Sequence, residues 1–569
     1  MQMKDNKRYK INSKYLVLFF TYLIPILILM RFYLYPSLYG YDSNVHVLVS
    51  DYIIANAHFP VHSIWIELGP DDAILPLFNS FFGMICIMTN VPTYHMAKYI
   101  FPALSFTMIF IFASLILKSM DKAKFAFSFI ILCLFFVFIS PKVLQNLSYS
   151  VRPEILGILL LLAFKYTYIR FIKGGQSKDL IISLMIGITI ILTHYLAGLF
   201  LASSLLIYGI FFEDKKVFRY KTINEFTISL ALFVFFWGIA IFKGGPIYRD
   251  LSSIFGMNKF SLFLIPLVFA VVIKKSAPFG IAKFEGVLSR SRLKNLFVRY
   301  QTVLILSLSA VLFASLKIVS TTSDFKIFSA NNIHWVIFIP LSFLYLLNHI
   351  LRENKDRSIS FLSCFLIFSY FFSFIFLFGI YSGIAGFYST DWIIRFIGYA
   401  FFEMTVFGMF FARDNLNFRT SILKLKNLKS HTKFALLLVL LITNILITAY
   451  YVDKPGDKNP LMVASDPILS AERYVVEEVK PKYVAGFTPF TPFIYDGFDF
   501  NKRLEIAYYP GRLPSIINNL AENKKPDHDL ILFVNLNQIE KTELSKMEEN
   551  PFVNKIYSNA EIFIGEAND

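Results

Sequence analysis

Apolar residues run along this chain in long unbroken blocks rather than in alternation. A helix that crosses a membrane needs about 20 predominantly apolar residues. Blocks of that kind lie near 15–35, 96–117, 123–140, 154–170, 178–194, 196–212, 226–243, 259–274, 301–319, 334–351, 359–380, 392–411 and 433–451. The pattern predicts a polytopic α-helical membrane protein with about thirteen transmembrane helices. A further apolar stretch, 73–89, is interrupted by Pro76 and followed by Pro92, and reads as a re-entrant or interfacial helix. Beyond 451 no run is long enough to span. There, 466–478 (opened by Asp466-Pro467) and 540–549 read as helices, and 483–487 and 530–534 read as strands. Residues 552–565 alternate around Ser558-Asn559 like a hairpin. The expected domains are a membrane domain over 1–451, whose first loop (36–95) carries interfacial helices, and a small soluble α/β domain over 452–569.

Composition agrees. Of 569 residues 56% are hydrophobic, 65 are Phe, and only 17% are charged, against roughly 25% charged in soluble domains. The net charge of +16 is explained by topology rather than by nucleic acid. Segments 1–14, 118–125, 165–178, 213–225, 274–300, 352–357 and 412–433 hold well over half of the 55 Lys and Arg, and 36–95 holds none. By the positive-inside rule the N-terminus is cytoplasmic and the C-terminal domain extracytoplasmic. Counting 73–89 as a span would invert the later loops and destroy that asymmetry. The first block is too long for a cleaved leader and reads as a signal anchor. Cys86, Cys133 and Cys364 lie inside apolar segments and suggest neither a disulfide framework nor a metal site.

Ionisable groups at membrane depth cost about 2.5–3.5 kcal/mol on insertion scales and tend to mark function. On this topology the polar positions outside the loops gather at the extracytoplasmic face. Asp42 lies in Tyr41-Asp42-Ser43-Asn44-Val45-His46, either as a helix N-cap or as a reactive carboxylate, with His46 one turn later on the same face. Asp71 and Asp72 precede the re-entrant stretch and can cap it, bind a metal or act as an acid/base pair. Arg152 and Glu154 open one span, His194 sits at the turn between two, and Asp391 and Arg395 are four residues apart at the start of another. Each has a structural reading: snorkelling for Arg152, packing for His194, a local ion pair for Asp391 with Arg395. Gathered on one face, a carboxylate and arginines beside lipid suit one chemistry. A base deprotonates an acceptor hydroxyl while guanidinium groups stabilise a phosphate leaving group.

The order of these motifs resembles the GT-C glycosyltransferases, in particular archaeal and bacterial relatives of the protein mannosyltransferases. The matching parts are a signal-anchor helix, then Tyr41-Asp42-Ser43-Asn44-Val45-His46, an interfacial helix ending in His58-Phe59-Pro60, and the Pro76-Leu77-Phe78-Asn79 helix. Arg152-Pro153-Glu154, Thr193-His194-Tyr195, Asp391-Trp392-Ile393-Ile394-Arg395 and a C-terminal extracytoplasmic domain follow. The resemblance implies hexosyl transfer from a polyprenyl-phosphate donor, such as a dolichyl phosphate, to a glycan, lipid or protein acceptor at the cell envelope. It makes Asp42 the general base and Arg395 a ligand of the donor phosphate; Arg152 matches a second phosphate-binding position, and His194 matches by place alone. The second acidic residue usual directly after the first is Ser43 here, which leaves Glu67, Asp71 or Asp72 as substitutes. No cofactor is expected. A divalent metal enters only if the chain acts as the related oligosaccharyltransferases do, and 452–569 carries no Trp-Trp-Asp motif.

Two other classes remain. A transporter or flippase of lipid-linked glycans would place charges near the bilayer midplane, and the expected spans carry few central charges. A non-catalytic scaffold would make Asp42 dispensable.

Overall fold

The computed structural model describes residues 76–120, 153–212, 225–242, 256–288, 333–350, 356–381, 390–415, 483–486, 507–508, 530–535, 553–558 and 562–567. It also describes isolated positions between 46 and 57 and at 252, 307, 474, 478, 545 and 549. The expected spans at 15–35, 123–140 and 433–451 lie outside the described residues, as does that at 301–319 apart from Ser307. The helices are α1 (Pro76–Thr89), α2 (Thr93–Ser119), α3 (Pro153–Gly174), α4 (Ser177–Thr193), α5 (Tyr195–Phe211), α6 (Glu225–Phe242), α7 (Lys259–Leu288), α8 (Ile333–Ile350), α9 (Arg357–Tyr381), α10 (Thr390–Tyr399) and α11 (Phe401–Asn415). Among the described residues, Thr93–Ser119, Pro153–Gly174, Glu225–Phe242 and Arg357–Ile375 are long and apolar enough to cross a membrane.

The chain divides into two compact units, one of residues 1–23, 107–144 and 156–448, the other of 24–106, 145–155 and 449–569. In the first, α5 is the central helix. Its buried residues, from Leu196 to Ile210, cover its whole circumference, and it packs against α4, α6, α7, α9 and α10. A helix apolar on all sides belongs in such a centre. The peripheral helices instead leave Ile181, Met185, Phe260, Val268 and Phe269 exposed, a surface suited to acyl chains.

Local sequence explains the joints. Gly175 takes φ +64° between α3 and α4, where a side chain would be strained, and its amide returns 2.7 Å to the Phe171 carbonyl. Ser183 then donates across the hairpin to Thr167 Oγ1 at 2.9 Å.

Hydropathy misplaced several boundaries. The block at 392–411 is two helices, separated at Ala400, whose amide reaches back three residues to Ile397 at 3.2 Å. A continuous apolar run hides such a break. The block at 154–170 continues as helix to Gly174, so Lys165, expected in a cytoplasmic loop, lies mid-helix. The helix from Lys259 runs past 274 to Leu288. The block at 96–117 opens with one turn at Thr93–His95 and a π-helical stretch, Met96–Ile100.

In the second unit a five-stranded sheet has the order β2-β1-β3-β5-β4: β1 Tyr483–Gly486, β2 Ala507–Tyr508, β3 Leu530–Asn535, β4 Val553–Ser558 and β5 Ile562–Ala567. β1 is parallel to β2 and β3, whereas β5 is antiparallel to β3 and β4. Leu532 and Ile564 are fully buried. The strands at 483–487 and 530–534 and the final hairpin stand where alternation placed them; β2 is too short to register. The helices expected at 466–478 and 540–549 fall almost wholly outside the described residues.

Candidate functional site

Asp42, Asp71, Asp72 and Arg152 lie outside the described residues. His46, Glu154, His194 and Arg395 are described, and so is the backbone of Asp391. His46 belongs to a local arrangement in the second unit and His194 and Arg395 to one in the first, while Glu154 lies in the segment 145–155 that groups with the second unit.

The first is built on α1. His46, Ser50 and Ile54, four residues apart, form one stripe against that helix. His46 Nδ1 is 3.1 Å from Asn79 Oδ1, and its ring meets Phe78 edge-on at 5.2 Å. Ser50 Oγ donates to the His46 carbonyl at 2.8 Å. A Cβ at Gly83 would lie 3.4 Å from both Ile54 and the Ser50 carbonyl, an ordinary packing distance. Asn79 is fully buried, and its Nδ2 has no hydrogen-bond partner among the described residues. Asp51 accepts a hydrogen bond from Thr93 Oγ1. Lys98, in the π-helical stretch and buried, stands 5.4 Å and 5.2 Å from the ring centres of Tyr94 and Tyr99. Sequence reasoning passed over Asp51 and Lys98. The available signal was an isolated charge within a helical, mostly apolar segment.

The second arrangement lies in the helical unit. His194 is the single residue between α4 and α5. Its extended backbone (φ −154°, ψ 123°) ends one helix, and its side chain caps the next. Nδ1 accepts from the Ala197 amide at 3.3 Å and is 3.0 Å from Tyr399 Oη. An amide only donates, so Nδ1 is an acceptor, the Tyr399 hydroxyl donates to it, and in the neutral ring the proton sits on Nε2. Gly157 makes space: a Cβ there would stand 2.9 Å from Ala197 Cβ. Tyr399 closes α10, and Arg395, half-buried, is one turn before it on the same helix. The structure thus joins His194 to the helix that carries Asp391 and Arg395, through a tyrosine the sequence did not single out. Glu154 sits half-buried in the first turn of α3, where the helix dipole favours an anion.

Two buried ion pairs complete this unit. Lys165 Nζ lies 2.6 Å from Glu403 Oε1, with side chains 1% and 0% exposed. Glu403 Oε2 has no hydrogen-bond partner among the described residues. The ammonium is also 4.4 Å and 5.8 Å from the ring centres of Phe365 and Phe200. Arg357 Nη2 donates to Glu225 Oε1 at 2.7 Å. The expectation that spans carry little central charge therefore fails at Lys165 and Glu403. Lys165 was missed because it was counted with the cytoplasmic loops.

No protein-family model and no curated protein matches the sequence. Solved structures do. The oligosaccharyltransferase of Archaeoglobus fulgidus in its apo form aligns at TM-score 0.54 and 12% identity, over 98% of this chain and 75% of that one. The same enzyme, AglB, in complex with an inhibitory peptide and a dolichol-phosphate aligns at TM-score 0.52 and 11% identity, over 98% and 74%. Its complex with Zn and sulfate aligns at TM-score 0.51 and 12% identity, over 97% and 73%.

The chain shares the fold of these oligosaccharyltransferase structures. At these identities the likeness speaks for the fold alone. One of these structures holds zinc. Among the described residues no three His, Cys, Asp or Glu side chains converge to hold an ion. The acidic candidates Asp42, Asp71 and Asp72 lie outside the described residues.

Proposed function

We propose that the protein is a membrane glycosyltransferase that moves a hexose from a polyprenyl-phosphate donor to a glycan, lipid or protein acceptor at the extracytoplasmic face. The fold likeness carries this reading. It extends over nearly the whole chain, to an enzyme whose complex holds a dolichol-phosphate and a peptide. In the reaction the acceptor hydroxyl loses its proton to Asp42 and attacks the anomeric carbon. The bond from that carbon to the phosphate oxygen breaks, and polyprenyl phosphate leaves with the bonding pair. Arg152 and Arg395 bind its developing charge, which guanidinium geometry suits. Tyr399 and His194 set the end of the helix that presents Arg395. His46, held by Asn79, orders the segment that follows Asp42.

The transporter reading gains one observation, the buried charges of Lys165 and Glu403. They are paired with each other and enclosed by Phe200 and Phe365, however, which is how a structural pair is held rather than a substrate path.

Membranes containing the protein are expected to transfer a labelled sugar from a polyprenyl-phosphate donor. Asp42→Asn should abolish transfer with protein levels unchanged. Full transfer by D42N removes Asp42 as the base; glycan translocation without transfer, by wild type and D42N alike, favours the transporter.

A further inference from the structure

Arg395 and Tyr399 lie one turn apart on α10, and Glu403 follows four residues later on α11, beyond the break at Ala400. Each has a different role. Tyr399 donates to His194, and Glu403 meets Lys165 of α3. Phe200 of α5 joins the two levels, its ring centre 5.5 Å from that of Tyr399 and 5.8 Å from Lys165 Nζ. A contiguous line of contacts therefore runs from the buried ion pair to the residue one turn from Arg395.

The chemistry proposed above uses neither Lys165 nor Glu403. Their pair is also a poor device for stability, since removing two charges from water costs as much as the pair commonly returns, and apolar replacements of similar volume often do as well. A pair does supply direction. Apolar contacts among Phe200, Phe365 and their neighbours tolerate small slides and rotations, because hydrophobic burial is non-directional. A carboxylate that must meet one ammonium in a dry core does not.

We infer that Lys165 and Glu403 are positioning residues: their ion pair sets the rotation and depth of α11, and through the Ala400 joint those of α10, so that Arg395 meets the donor phosphate. The inference rests on the functional reading above for what Arg395 binds, but not for the geometry it asserts.

The test uses the full chain in nanodiscs and the double variant K165M/E403M, which removes both charges and keeps the volume. It is expected to melt at or above the wild-type midpoint, while kcat/KM for the labelled polyprenyl-phosphate sugar falls by up to the order of 10²-fold, the loss that a displacement of about 1 Å can bring. Wild-type melting with wild-type kcat/KM overturns the inference, because the pair is then structural only. Should the double variant fail to fold, E403D retains the pair on a side chain one methylene shorter. It is expected to lower kcat/KM, and unchanged kinetics again overturn the idea. Wild-type protein that transfers no sugar sinks the functional reading instead. The positioning role is then read from spin-label distances between α3 and α10, which should shift or broaden in whichever of these variants folds; an unchanged distribution overturns it.

Discussion

Lys165–Glu403 and Arg357–Glu225 both join a cation to a glutamate across helices of one unit, but in different surroundings. The first is dry on both sides, with Lys165 1% and Glu403 0% exposed. Its ammonium is backed by the rings of Phe365 and Phe200. The second sits where two helices begin. Glu225 is the first residue of α6, where the dipole favours a carboxylate, and Arg357 is the first of α9, with its side chain 26% exposed. Asp356 caps that helix by accepting from the Ser358 amide at 2.9 Å. At a helix end a pair can lean on water, caps and dipole. Lys165, midway along α3 and 1% exposed, has neither water nor a helix end beside it, although Glu403 lies in the first turn of α11. Two pairs of similar length thus differ in what is left when one member goes.

The largest effect follows at the dry pair. Lys165→Met strands Glu403 among apolar side chains, and breaking a buried pair costs about 3–5 kcal/mol. The melting midpoint in detergent should fall steeply, or folded protein should vanish from the membrane fraction, and adding Glu403→Met should restore it. Arg357→Met should cost less, about 1–3 kcal/mol, because the Arg357 side chain is 26% exposed and its site opens toward water, whereas Lys165 is 1% exposed. Equal losses in K165M and R357M, measured side by side, would erase the distinction between the pairs.

The same contrast marks what was legible in the sequence. Block length sufficed for α4, α5, α6, α8 and α9, whose ends fall within two residues or so of the expected limits, since the cost of exposing backbone to lipid sets the length of a spanning helix. Period-2 alternation located β1, β3 and the β4–β5 hairpin. What stayed hidden depends on partners distant in the chain. Lys165 is one basic residue near a basic loop until Glu403, Phe200 and Phe365 surround it. Tyr399 is one tyrosine among 31 until its hydroxyl meets His194. The break at Ala400 leaves no polar mark. His194 was visible as a histidine at a turn, and its capping of α5 agrees with the structural role it was first weighed against. Whether it also serves the donor is a question of chemistry that hydropathy does not reach.

That question sets the smallest stability effects against a larger kinetic one. His194→Ala removes the cap of α5 and the acceptor for Tyr399, and a lost cap costs about 1 kcal/mol. His194→Asn retains a side chain that caps well but is too short to stand in for the imidazole toward Tyr399. Tyr399→Phe removes one hydrogen bond, about 0.5–1.5 kcal/mol, and keeps the ring against Phe200. If His194 only joins two helices, H194N melts like wild type and Y399F does nearly so, and both transfer sugar normally. If the contact sets Arg395 for the donor phosphate, both variants raise the donor KM while leaving the melting midpoint within a few degrees. A raised KM in Y399F that K165M/E403M reproduces would tie the dry pair to the site. A normal KM in Y399F beside a raised one in the double variant would route the coupling through α11 and the Ala400 joint without Tyr399.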